Sequence, residues 1–136
     1  MTSTSAFWED LARDLEDPEF LRDFVVESMR IATIDQVVSA LDDAREAAGL
    51  SKAGLARAIQ VEPATIRRLF ASEKSNPTLG TLAEIAGALG MRITIEPLAD
   101  DERTRVTEPL LAGRTADPVG LARHLHELRT RFSVPA

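Results

Sequence analysis

Apolar residues recur at helical spacing along most of this chain, and the breaks between the runs carry residues that start or stop helices. Over residues 6–16, Phe7, Leu11 and Leu15 share one stripe, with Trp8 and Ala12 beside it. Asp17-Pro18 then resets the chain, since aspartate suits a cap and proline suits the first helical position. A second helix is predicted over 18–30, with Phe20, Leu21, Phe24 and Val25 on a broad apolar face. Thr33 followed by Gln36 has the form of a capping box, and it opens a third helix carrying Ile34, Val37, Val38, Leu41, Ala44 and Ala48. Gly49 is placed to stop that helix, and Leu50 to fold back on its last turn. Two short helices follow, over 52–59 behind Ser51 and over 63–70 from Pro63, joined by a tight turn. Leu55, Ala56, Ile59, Val61, Ile66 and Leu69 fall where such a corner must be apolar.

Past a polar loop, Thr78 is suited to cap a helix over 79–89, with Leu79, Leu82, Ile85, Ala86 and Leu89 as its stripe and Gly90 as its stop. Residues 91–97 alternate apolar and polar, which predicts one β-strand with Met91, Ile93 and Ile95 on one face. A lone strand needs a partner for its backbone. Its own copy across a twofold axis is the first candidate for that partner, and a strand of another protein is the next. Residues 99–117 read as a polar connection with a helical turn over 108–112. Asp117-Pro118 opens a last helix with Leu121, Leu125, Leu128 and Phe132 at helical spacing. The expected architecture is all-α. It is a helix-turn-helix bundle (33–98) with N-terminal helices (1–32), one β-strand after the bundle, a linker (99–117) and a C-terminal helix (118–136).

Composition alters this picture in few places. A chain of 136 residues suits one modest core with appendages. It has no cysteine, which excludes disulfides and thiolate metal sites. No apolar run approaches the ~18 residues of a membrane span, and no signal peptide is visible, so the expectation is a soluble, cytoplasmic protein. The net charge of -6 is unevenly spread. Residues 1–32 hold eight acids and three bases, a net -5; residues 33–98 hold eight and seven, a net -1; residues 99–136 hold six of each. The acidic segment need not face nucleic acid. It is either a solvated face or a surface for a basic partner. Four of the six aromatic residues, Phe7, Trp8, Phe20 and Phe24, lie in that segment. Their apolar surface has to be buried against the main core, in a dimer, or in contact with another protein.

The chemistry on offer is that of binding. Ala64, Thr65, Arg67 and Arg68 fall on the outward side of the helix over 63–70. Two adjacent arginines there suit phosphates and guanine edges in a major groove; the plainer reading makes them surface charges paired with nearby acids. His124 and His126 are two apart on a helix and point to different faces, so no metal site is predicted. The pairs Asp42-Asp43 and Asp100-Asp101 lie on segments expected to be exposed. No nucleophile, base or phosphate-loop arrangement emerges, and neither a cofactor nor an enzymatic activity is expected.

The run 34–98 resembles the Xre family, the lambda repressor-like helix-turn-helix of phage repressors and Cro. The resemblance rests on A-R-E-A-A-G-L-S at 44–51, L-A at 55–56, V-x-P-x-T-I-x-R-L at 61–69, N-P-T-L-x-T-L at 76–82 and I-A-x-A-L-G at 85–90. It implies DNA contacts from Pro63, Ala64, Thr65, Arg67 and Arg68 on the recognition helix, from Lys52, and from the loop residues Lys74, Ser75 and Asn76. Three positions depart from the family pattern: Gln60 where the turn often has glycine, Glu62 where serine or threonine usually precedes Pro63, and Gly54 where a glutamate often closes a capping box.

D-P-E-F at 17–20 and M-R-I-T-I-E-P at 91–97 resemble the HigA-type antitoxins of type II toxin–antitoxin modules. That narrower resemblance implies a homodimer that binds a palindromic double-stranded operator, represses its own transcription and neutralises a small basic ribonuclease toxin of the RelE/HigB kind. The toxin would then meet Phe7, Trp8, Leu11, Phe20 and Phe24. Two other readings stand beside it. One is an Xre regulator without a toxin. The other is a protein-interaction module with a degenerate helix-turn-helix, which Glu62 and the acidic total favour.

Overall fold

Two sets of apolar stripes close over two separate cores, and in this computed structural model the chain divides accordingly into two compact units. The structure describes residues 3–71 and 76–131. One unit joins the chain up to Ala32 with Glu96–Arg131; the other is Thr33–Ile95. The elements are α1 (Ser3–Asp14), α2 (Pro18–Ala47), α3 (Lys52–Ala58), α4 (Pro63–Ala71), α5 (Leu79–Ala88), α6 (Asp100–Glu102), a π-helical stretch (Arg103–Thr107), α7 (Glu108–Ala112) and α8 (Pro118–Arg131).

The local signals place most of these boundaries. Asp17 Oδ1 accepts from the Glu19 N–H, Ser51 Oγ from Gly54, Thr78 Oγ1 from Thr81 and Asp117 Oδ1 from Gly120. Gly49 and Gly90 adopt the left-handed conformation just past α2 and α5, with φ of 67° and 73°. Beyond them the Leu50 and Met91 N–H groups donate back to Arg45 and Ala86.

Three expectations are corrected. The helices expected over 18–30 and from Thr33 are one continuous helix, α2, and Thr33 and Gln36 lie inside it. Nothing between Arg30 and Thr33 breaks a helix, so the capping-box residues ride along it. The β-strand with Met91, Ile93 and Ile95 is absent: residues 91–99 form no regular structure and are exposed, Ile95 completely. Among the described residues there is no second strand to bond its backbone, and alternation cannot make a strand alone. Last, residues 100–112 form an almost unbroken helical run, not a polar connection. Pro109 accounts for its widened middle. Proline cannot donate to the Arg105 carbonyl four residues back, and its ring crowds that carbonyl. The Glu108 N–H accordingly reaches five residues back, to Arg103.

In the unit built from the chain's two ends, Leu15, Leu21, Val25 and Ala32 interlock with Val106, Leu121, Ala122, Leu125 and Leu128. Trp8, Leu11, Phe20 and Phe24 pack against this cluster. Full burial of each large side chain stabilises by roughly 1.5–3 kcal/mol. Polar bonds fasten the edges. Arg129 Nε donates to the buried Ser28 Oγ at 2.7 Å, and its guanidinium lies over the Phe24 ring, 4.4 Å from the centroid. Arg22 donates to the Leu110 and Leu111 carbonyls at 3.2 and 3.1 Å, at the end of α7. His124 Nε2 pairs with Glu102 Oε1 at 2.7 Å, tying α8 to α6.

The other unit packs Val38 and Leu41 of α2 against Leu55 and Ala56 of α3, Ile66, Leu69 and Phe70 of α4, and Leu82, Ile85 and Ala86 of α5. Arg45 locks this unit. Its Nε and Nη2 each lie 2.9 Å from Asp42 Oδ1, its Nη1 donates to the Leu50 carbonyl at 2.9 Å, and its guanidinium sits over Phe70. Only the forked guanidinium can do all three at once. Arg45→Ala is expected to lower stability by about 2 kcal/mol, with Arg45→Lys recovering less than half of that. Urea denaturation followed by circular dichroism checks this, and an unchanged midpoint in the alanine variant would refute it.

Candidate nucleic-acid interface

The helix-turn-helix corner begins at Ser51, whose side chain holds the first turn of α3 through the Gly54 N–H at 2.9 Å. A β-carbon on Gly54 would lie 3.0 Å from Leu50 Cδ1 and 3.1 Å from Ser51 Oγ. Glycine there leaves room both for the cap and for Leu50 to fold back. Helix α3 ends in a turn in which the Gln60 N–H donates to Arg57 and the Val61 N–H to Ala56, at 3.2 and 3.0 Å. This bonding requires a left-handed residue at position 60, and Gln60 supplies it with φ of 61°. It is the only non-glycine residue with positive φ among the described residues. An L-residue in this conformation costs roughly 1–2 kcal/mol relative to its preferred backbone.

Helix α4 starts at Pro63, and the Thr65 N–H donates to the Glu62 main-chain carbonyl at 2.9 Å. Ile66, Leu69 and Phe70 are buried, and their spacing turns Arg67 and Arg68 outward, both exposed. Neither arginine makes an ion pair among the described residues, whereas Arg45, 11 % exposed, is committed to Asp42. Pro63, Ala64 and Thr65 are half-buried at the start of the same helix, and Lys52 is half-buried at the start of α3. Asn76 is exposed ahead of α5; Lys74 and Ser75 lie outside the described residues. The structure therefore places Arg67 and Arg68 on one short helix with Thr65 beside them, without an ion pair among the described residues.

The N-terminal candidates have a different setting. Trp8, Leu11, Phe20 and Phe24 are part of their own unit's packing, and Phe7 is 52 % exposed. Trp8 also meets the edge of His126, at 5.4 Å between ring centroids, and carries Arg123 over its face. Among the described residues no group of three acidic or histidine side chains is placed to hold a metal ion, and no helix is long and apolar enough to cross a membrane.

Residues 41–95 match a family described as helix-turn-helix. The span takes in the end of α2, all of α3, α4 and α5, and the exposed segment that follows. No curated protein and no solved structure matches the chain.

The turn itself can be tested. Gln60→Gly relieves the left-handed strain but adds freedom to the unfolded chain, for a net gain of about 0.5 kcal/mol. Gln60→Val, β-branched at the same φ, is expected to lose more than about 1 kcal/mol. Thermal unfolding should rank the three as Gly, Gln, Val; the reverse order would show that the turn is not strained.

Proposed function

We propose that this protein is a DNA-binding transcriptional regulator that presents α4 to the major groove. The observation that carries the proposal is the pair Arg67 and Arg68, exposed and free of ion pairs among the described residues, on the outward side of a helix whose inner side is buried. The helix-turn-helix match over 41–95 supports the same reading. A homodimer would set two such helices about 34 Å apart over a palindrome.

Arg67→Ala combined with Arg68→Ala is expected to weaken operator binding roughly a hundredfold and to lower the salt slope of binding by about 2 per protomer. Helical content should not change, because neither side chain is buried. Gel-shift titrations at several salt concentrations read both quantities. Undiminished affinity would overturn the reading.

The narrower form of the proposal is an antitoxin that represses its own transcription and neutralises a small basic ribonuclease toxin. Its support is the net -5 of residues 1–32, together with Phe7 and Val26, both more than half exposed in the segment that also carries the exposed acids Glu9, Glu19 and Asp23. The packing of Trp8, Leu11, Phe20 and Phe24 within their own unit favours the other reading, a regulator without a toxin. Co-expression with the basic product of a neighbouring reading frame separates the two. An antitoxin restores growth, and Phe7→Ser with Asp23→Lys abolishes the rescue while operator binding is retained. Growth restored equally by the substituted protein would remove this surface from the account. A harmless neighbour would leave the plain regulator.

A further inference from the structure

Three described helices, α3, α5 and α8, start on one capping pattern that the helix offered to DNA lacks. Ser51, Thr78 and Asp117 stand before α3, α5 and α8, and each accepts with its side-chain oxygen from the N–H three residues on, at 2.9, 3.1 and 3.0 Å. Glu62 holds the same place before α4, yet there the N–H three residues on, of Thr65, donates to the Glu62 main-chain carbonyl. The Glu62 side chain is exposed and makes no hydrogen bond or ion pair among the described residues. A cap position filled by a side chain that does not cap forgoes about 1 kcal/mol. A local rule broken without compensation inside the fold is where a functional role is expected.

The chemistry of a free carboxylate narrows that role. It only accepts hydrogen bonds, and it is repelled by phosphate. Among the groups presented in a major groove, the donors are the exocyclic amines of cytosine and adenine. Adenine also presents its N7 acceptor beside the amine, which a carboxylate oxygen opposes; cytosine presents the donor without such a neighbour. The first residues of a recognition helix are those that meet base edges. We infer that Glu62 reads a cytosine at the edge of each half-site, so that the end of α4 usually given to a phosphate contact serves base selection. The inference rests on the DNA-binding reading above. With Arg67 and Arg68 suited to guanine, the half-site is rich in G·C pairs.

The test is selection from a random duplex library with the full-length chain, followed by binding titrations on single-base variants of the selected site. The wild-type protein should enrich cytosine at one position of each half-site, preferring it about tenfold. Glu62→Gln should move that position to adenine, since an amide can donate to N7 and accept from the amine. Glu62→Ser should flatten the preference there to below about threefold while tightening binding to all sequences, through a restored cap and lost repulsion. Because serine suits the cap, this variant keeps the test readable if the glutamine protein folds poorly. Identical base preferences for the wild type and both variants would overturn the inference while leaving DNA binding standing. No enrichment by the wild type would overturn the DNA-binding reading and this inference with it.

Discussion

The outward face of α4 depends on the closure of α3 onto α4 over Leu55, Ala56, Ile66 and Leu69. Leu55, Ala56 and Ile66 are wholly buried, and the small side chain of Ala56 lets the two short helices approach closely. With Ile66 and Leu69 turned inward, helical geometry leaves Arg67 and Arg68 no place but the outside. The turn between the helices is tight enough to demand a left-handed residue, and the chain meets the demand with Gln60 at some cost. A seven-residue helix could not hold this geometry alone, since helices of that length are marginal in water. It is held by packing on α2 and α5 and by the grip of Arg45 on Asp42, Leu50 and Phe70.

The arginines sort by what surrounds them. Arg45, Arg22 and Arg129 spend their donors on carboxylate, carbonyl or hydroxyl oxygens of the fold, and Arg45 and Arg129 also lie over aromatic rings. Arg67 and Arg68 have no such commitments among the described residues. An arginine engaged at every donor stabilises a fold and has little left for a ligand; an exposed one keeps its fork for an oxyanion or a base edge. The same contrast separates Glu62 from Ser51, Thr78 and Asp117, which share its position relative to a helix but use their side chains to close it.

Most helix starts and stops were legible locally. Asp17-Pro18, Ser51, Pro63, Thr78 and Asp117-Pro118 act within one turn of the chain, so a reader of the sequence sees both halves of each interaction. The candidate helix was legible too, because the inward stripe of Ile66 and Leu69 leaves Arg67 and Arg68 as its complement. Three features were not. Thr33 and Gln36 form a capping box only if a helix begins there, and continuous packing of α2 through Ala32 and Val38 removes the need. The alternation of Met91, Ile93 and Ile95 makes a strand only beside another strand. Arg45 and Arg129 find partners in Phe70 and Ser28, the latter 101 residues away, and no local pattern announces such pairings.

The sequence by itself thus determined where backbone conformation is restricted: proline at helix starts, short polar side chains beside free N–H groups, glycine past helix ends, and an apolar stripe for each amphipathic turn. These are short-range effects of sterics and of one hydrogen bond each. The tertiary structure decided which potential caps are used, that the two ends of the chain share one core, and which charged side chains are left over once the folded chain has engaged the rest. Those outcomes depend on groups brought together from distant positions, and burial makes a satisfied donor or acceptor obligatory only after that meeting has occurred.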